Sequence, residues 1–372
     1  MKLFLFFILS FFSITAKGIP NAHPGKSQGV EQLKYIINND TLALKNIKNF
    51  ILLPHHKIAV VSEDSLLILQ DRKVLSAYSL PTINALLLCD DTLFLGTNSG
   101  LYCLTISKLN LQKRSLPARE SHPKINSLAI DLEKKIWVGT EAFGAFSMSG
   151  ETAKPYSVSP YVSTIAVTRD SSVWIGSNVG VFRIFSDGEI KRYYEEIPAN
   201  GIAIPDNMIE HMNVDNTGHL WIFMSQAVSV LTPDDYEKYH TVIGDGDVDP
   251  HTFAFLGSPD NHIQKFIQPK TNPNIWWAIS TEGLFQVSDV EFQTEAPPPG
   301  IPDKIEQPKA HLRKVTGFQD NIAKKFIAII DPTNLEFDNE GNLWISGKQG
   351  LFKIPKNILR EFEPQKKMQA KK

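Results

Sequence analysis

Three carboxylates at alternate positions, Asp245, Asp247 and Asp249 in the stretch GDGDVDPH, are the part of this sequence best equipped to hold a hard cation such as calcium. A helix-loop-helix calcium loop places Gly after its third acid and Glu at its twelfth position, and here those places hold Pro250 and Leu256. The stretch therefore reads first as a solvated acidic loop, with calcium as the alternative and no other cofactor implied. His251 and His262 flank it, and His55 and His56 form a second pair, but none stands in HExxH or Cys/His zinc spacing. No GxSxG elbow, Walker loop or dinucleotide fingerprint is present. No nucleophile or metal constellation announces a reaction, so the search moves to the elements that would have to build a site.

Those elements repeat. IWVGTEAFGAFS from Ile136, VWIGSNVGVFRI from Val173, LWIFMSQAVSVL from Leu220, IWWAISTEGLFQ from Ile275 and LWISGKQGLFKI from Leu343 share one pattern. LFLGTNSGLYCL from Leu93 and IAVVSEDSLLIL from Ile58 are looser copies, which makes seven. Each is two short apolar strands around a polar turn, the pattern of a β-hairpin. An alternating apolar run ending in an Asp/Asn/Gly turn precedes most copies, as in NLEFDNEGN, and segments such as KPYSVS and IKRYYEE follow, giving four strands per unit. The tryptophan position recurs every 35 to 68 residues. Seven four-stranded antiparallel units at that period predict an all-β fold, a single seven-bladed β-propeller.

Trp137, Trp174, Trp221, Trp276 and Trp344 occupy one repeat position and read as packing between blades. Trp277 breaks the repeat and is the aromatic to test for ligand contact. Asp131, Asp170, Asp215 and Asp338 recur after the first strand, where a carboxylate usually holds a turn. LKYIIN, Leu33 to Asn38, is a strand without a unit of its own, and pairing it with the last blade would close the ring between the chain ends.

The 372 residues suit one ring of seven units. A net charge of −2 argues against a nucleic-acid partner, which requires a concentrated basic surface. The first eighteen residues, MKLFLFFILSFFSITAKG, have the pattern of a cleaved export signal. Residues 19–32 read as a flexible leader, 33–362 as the propeller and 363–372 as a basic disordered tail. No later stretch reaches eighteen apolar residues, so the mature chain is expected without a transmembrane span, in the periplasm or outside the cell. Cys89 and Cys103 fall on the first and third strands of one unit, too far apart for a disulfide, and are expected as two buried free thiols.

In this architecture the turns between second and third strands share a face with the connections between blades. That loop-decorated face predicts a ligand or partner site formed by Arg119, His122, Glu141, Asn178, Glu282 and Lys348, with Trp277 as the aromatic member. Gln226, Asn98 and Glu120 fall on the same rim. The polar mix suits an unidentified polar ligand or an envelope protein. An enzyme reading, a lyase or hydrolase acting on a polysaccharide or small polar substrate, would use Glu141, Glu282 or His122 as acid or base. A scaffold subunit of an envelope complex is the third reading.

VWIGSNVGVFRI, IWVGTEAFGAF and DNEGNLWISGKQGLFKI closely resemble the two-component regulator propeller repeat, over most of residues 50 to 354. Members of that family usually form extracytoplasmic sensor regions of membrane signalling enzymes. The resemblance implies a non-catalytic recognition role and brings no catalytic residue. No kinase, receiver or DNA-binding segment follows the repeats up to Lys372, so the expectation is a stand-alone exported sensor-type propeller.

Overall fold

The computed structural model of the chain describes residues 29–37, 40–63, 65–119, 122–194, 204, 206–225, 228–238, 251–253, 262–288, 290, 311–320 and 322–362. Its strands form seven blades of at least four antiparallel strands each. The innermost strands are Asn49–Leu53 in blade 1, Ile83–Cys89 in blade 2, Ile125–Ile130 in blade 3 and Val162–Val167 in blade 4. Ile209–Val214, Ile263–Ile267 and Pro332–Phe337 serve blades 5, 6 and 7. The chain runs outward through each blade, so the repeating hairpin supplies its second and third strands. The segments after it supply the outer strand, Thr152–Tyr156 in blade 3 and Ile190–Tyr193 in blade 4.

The ring is closed by an N-terminal strand, but not by the one the apolar pattern indicated. Glu31–Gln32 pairs with Gly350–Ile354 as the outer strand of blade 7, and Leu33 N–H donates to Leu351 O at 2.7 Å. Lys34–Ile37 instead forms a hairpin with Asp40–Ala43 that extends blade 1 to six strands, touching its outer strand where Ile36 meets Lys73. After the last hairpin the described chain ends in a helical turn, Lys356–Leu359, and a tighter one, Arg360–Phe362. A small extra hairpin, Gly317–Asp320 with Lys325–Ala328, sits between blades 6 and 7.

The repeat-position tryptophans pack between blades. Trp137 lies among Val162, Ile165 and Val173 of blade 4, and Trp344 among Phe50, Ile58 and Val60 of blade 1. Three of the indole N–H groups are tied to the turn that precedes their strand, Trp137 to Asp131 at 2.9 Å, Trp221 to Asp215 at 2.9 Å and Trp344 to Asp338 at 3.0 Å, while Trp276 reaches back to Asp215 of blade 5 at 3.1 Å. The same carboxylates accept backbone amides of their own turns. In blade 4 Thr168 takes the indole at 2.8 Å, and Asp170 two residues on is bound by Ser172 and by Arg183. The recurring acids are thus turn makers that also hold the core aromatic in place.

Cys89 and Cys103 are free, with the blade's second strand between them. Cys103 is buried as expected, whereas Cys89 ends an inner strand and is only half-buried. Among the described residues no helix is long and apolar enough to cross a membrane.

Candidate functional site

Inner strands surround the central channel, and how tightly they close it depends on the bonds between them. In blades 2 to 7 each inner strand carries a one-residue bulge, next to Asn84, Asn126, Ser163, Glu210, Gln264 and Thr333. A bulge turns one side chain out of the alternation and re-aims it. Here five of them reach the next blade: Asn84 donates to Ile125 O at 2.9 Å, Asn126 to Val162 O at 3.1 Å, Ser163 to Ile209 O at 2.6 Å and Thr333 to Ile47 O at 2.7 Å, while the Glu210 carboxylate meets His262 Nδ1 at 2.5 Å.

In blades 3, 4 and 7 the following residue makes a second tie, whereas in blade 2 it is Ala85, which has no side-chain group to make one. Ser127 accepts Ile165 N–H at 2.9 Å, Thr164 accepts Met212 N–H at 3.2 Å, and Asn334 donates to Phe50 O at 2.8 Å. In blades 5 and 6 this position holds His211 and Lys265, and neither makes such a bond: His211 Nε2 is buried without a partner, and Lys265 has none among the described residues. The seams on either side of blade 6 therefore lack the second tie.

A second departure from the repeat falls at the same place. Gly96, Gly139 and Gly176 lie two residues after the aromatic of their strands, where an added Cβ would come within 2.5 to 2.7 Å of Ile125, Val162 or Ile209 of the next blade. Blade 5 carries Phe223 there. Its ring packs on Phe266 of blade 6 at 5.0 Å and on His211 at 5.9 Å, filling the space through which the other blades approach one another.

A cavity of about 340 Å³ occupies the channel at these seams, lined by Asn49 and Ile51 of blade 1, Leu86 of blade 2, Asn213 of blade 5, Lys265 and Ile267 of blade 6, and Asn334 and Glu336 of blade 7. It reaches Asn216 and Gln268, on the face of the turns that join first to second strands. That face is opposite to the one carrying the hairpin turns.

Two formal charges share this cavity. Burial pushes the Glu336 carboxyl up to about 7, against the opposing pull of the Leu52 N–H that it accepts at 2.9 Å and of the Lys265 charge. Burial likewise lowers the Lys265 ammonium, with Glu336 acting to raise it. What surface Lys265 and Glu336 retain is the inside of the channel, so each is crowded by protein while remaining reachable by a solute. His211, pushed down to about 3 by burial and by Lys265, is neutral at physiological pH. Asp215, at the end of the cavity, is committed to both the Trp221 and Trp276 indoles.

The residues singled out from sequence lie elsewhere. Glu141, Asn178, Glu282 and Lys348 stand on hairpin turns, with Arg119 and His122 on the connection from blade 2 to blade 3. Glu141 pairs with Lys124 at 2.8 Å, and that partner holds its carboxyl below the usual range. Asn178 bonds Ser159, Lys348 lies 3.9 Å from Asp331, and Arg119 is exposed. His122 packs against Gly100, its Nδ1 buried without a partner. Trp277 is not on the rim: at 2 % exposed it packs between Phe318 and Phe362 in the core joining blades 6 and 7. Asp245, Asp247, Asp249, Glu120 and Gln226 lie outside the described residues.

Sequence reasoning passed over Lys265 and Glu336, although aligning the seven units shows the anomaly. Ala85, Ser127, Thr164, His211 and Asn334 stand where Lys265 does, and none of them is a lysine or an arginine.

No family model matches the chain, and no curated protein matches it. Solved structures share its architecture. It is similar to streptogramin B lyase at a TM-score of 0.57 and 14% identity, over 87% of this chain and 96% of that one. It resembles the extracellular domain of the putative hybrid two-component system BT4673 from B. thetaiotaomicron at a TM-score of 0.58 and 14% identity, over 88% of this chain. The likeness spans only 40% of that protein. PorZ, a bacterial surface component of the type-IX secretion system of Porphyromonas gingivalis, aligns at a TM-score of 0.55 and 14% identity, over 86% of this chain and 48% of that one. Identities this low establish the fold alone. The chain is a seven-bladed β-propeller, an architecture shared by a lyase, the extracellular domain of a putative two-component system and a secretion component.

Proposed function

We propose that the chain is an exported recognition propeller that binds a small polar solute in its central channel and serves as the sensing part of an envelope system. The observation that carries this reading is the channel cavity beside blade 6, where Lys265 and Glu336 face the same space with no ion pair between them. Removing a charge from water is costly unless it is paired, and a chain selected only for stability would place an apolar residue at either position. The exposed hairpin rim with Arg119, Glu141, Asn178, Glu282 and Lys348 offers a separate surface on which a protein partner would read the bound state.

One observation favours a second reading, a lyase or hydrolase. A carboxyl near 7 in a cavity is suited to proton transfer at physiological pH, and Glu336 is such a group. The two readings separate in one experiment. The purified chain is melted against glycans, short peptides, amino acids and divalent cations, and each compound that shifts the transition is then incubated with protein and followed by NMR for turnover. Recognition predicts a saturable shift, about 2.7 kcal/mol at a hundredfold excess over Kd, that Lys265→Met reduces, with the compound recovered intact. Product formation abolished by Glu336→Gln would replace recognition with catalysis. A panel without any shift would refute the channel as a solute site.

A further inference from the structure

We propose that the channel cavity takes a small zwitterion, an α-amino acid or a molecule of similar charge separation, with its carboxylate on Lys265 and its ammonium on Glu336. The proposal rests on the recognition reading and specifies its ligand.

The argument is electrostatic. The cavity holds one group of each sign, contributed by adjacent inner strands, and no bond joins them among the described residues. Burial drives both groups toward their neutral forms. A lone anion would pair with Lys265 but add a negative charge facing Glu336. A lone cation would do the converse. A neutral glycan could hydrogen-bond to either group while leaving both charges desolvated and unmatched. A ligand carrying both signs compensates both at once, and a charge-assisted bond to a group already crowded by protein is stronger than its counterpart in solvent.

Other titratable groups near the cavity leave this dipole intact. Asp215 is occupied by the Trp221 and Trp276 indoles and by its own turn, and Asp338 by Asn342 and Trp344. His211 is neutral at physiological pH, so Lys265 is the cationic group on this wall. Asn213 lines the cavity between the two seams and supplies an amide for the remaining polar atoms of a ligand. Size sets the other limit. About 340 Å³ lies at the small end of the roughly 300–1,000 Å³ range of small-molecule pockets, which suits a free amino acid or a dipeptide and excludes an oligosaccharide.

The test is calorimetric titration of the purified chain at pH 7 with the free α-amino acids, their N-acetyl derivatives and their carboxamides, alongside mono- and disaccharides. The expected result is saturable binding of at least one free amino acid, weakened at least tenfold by acetylating its amine and at least tenfold by amidating its carboxylate. Lys265→Met should abolish the distinction between acid and amide while keeping the distinction at the amine. Glu336→Gln should do the reverse. Each variant removes a buried charge, so an unliganded melt at or above that of the parent shows that it folds. Derivatives that bind as well as the parent amino acid would overturn the proposal. So would a saccharide whose binding falls with Lys265→Met while no amino acid binds, although channel recognition would then stand. Absence of binding by every compound would overturn both.

Discussion

Asp215 shows how much one side chain can hold together in this fold. Its Oδ2 accepts the Trp221 indole at 2.9 Å and the Trp276 indole at 3.1 Å, so it ties the aromatic of its own blade to that of the next. Its Oδ1 accepts Thr217 and His219 amides. Burial would raise its pKa, but hydrogen bonds from His219, Thr217 and Trp221 outweigh it and hold the carboxyl down to about 2. Asp215→Ala would leave two buried indole N–H groups without an acceptor, at about 1–3 kcal/mol each. The expected loss is about 3–5 kcal/mol in urea unfolding, and a loss below about 1 kcal/mol would contradict it. Glu336 carries the opposite signature. Its folded value of about 7 lies above the ordinary 4.5, so between those values the folded state binds the extra proton and stability falls as pH rises. Glu336→Gln should therefore melt like the parent at pH 4.5 and higher than the parent at pH 8. An equal shift at both pH values would mean that the carboxyl titrates normally.

At the scale of the strand, the glycine of IWVGT and VWIGS is a spacing device rather than a turn. A Cβ on Gly176 would meet Thr164 Cγ2 at 2.6 Å and Ile209 Cγ2 at 2.7 Å. Gly176→Val should cost about 3 kcal/mol or more, because the collision is with two inner strands at once. Gly150 provides the contrast: nothing lies within 4 Å of its Cβ position, but its φ is +58°. Gly150→Ala should cost only about 1 kcal/mol, from backbone alone. If the two variants unfold at the same denaturant concentration, crowding at the seam is not what selects glycine. These spacing and locking residues explain what was legible in the sequence. Tryptophan, glycine and the turn aspartate recur because each seam poses the same packing problem, so the blade count could be read directly. The closing strand was not legible, because Glu31–Gln32 is two polar residues without alternation while the neighbouring KYII carries the apolar pattern. Nor was the channel site. On a strand taken alone Lys265 and Glu336 resemble ordinary solvent-facing polar residues, and only the closed ring turns that face inward. The rim residues failed to gather into one pocket for a related reason. Glu141, Asn178 and Lys348 are tied locally, to Lys124, Ser159 and Asp331, so topology placed them on one face without bringing them together.

At the scale of the whole ring, the question is what holds the first and last blades together. The strand pairing is slight: Glu31 opposite Lys353, Gln32 opposite Phe352, and the Gln32 side chain on Gln349 O at 3.0 Å. The core at that seam is larger, with Leu33, Leu44, Ile47 and Phe50 buried against Trp344 and Leu351. Polar ties reinforce it from Thr333 to Ile47 O and from Glu336 to Leu52 N–H. A graded truncation separates these contributions. Removing residues 1–30 leaves every one of these contacts, and its melt is the reference for the two deeper truncations. Removing 1–32 deletes the outer strand, at about 2 kcal/mol for the lost ladder bonds, and exposes the edge of Gly350–Ile354. An unpaired edge is a template for another chain, so this variant should self-associate in sedimentation velocity while the longer one stays unchanged. Removing 1–33 also takes Leu33 out of the core and should cost a further 1.5–3 kcal/mol or about that, the worth of one buried leucine. The two steps differ in kind: the first should appear in association state more than in melting point, the second in melting point. If all three truncations melt together and remain unassociated, the ring is held by side chains alone, and the N-terminal strand only lies against it.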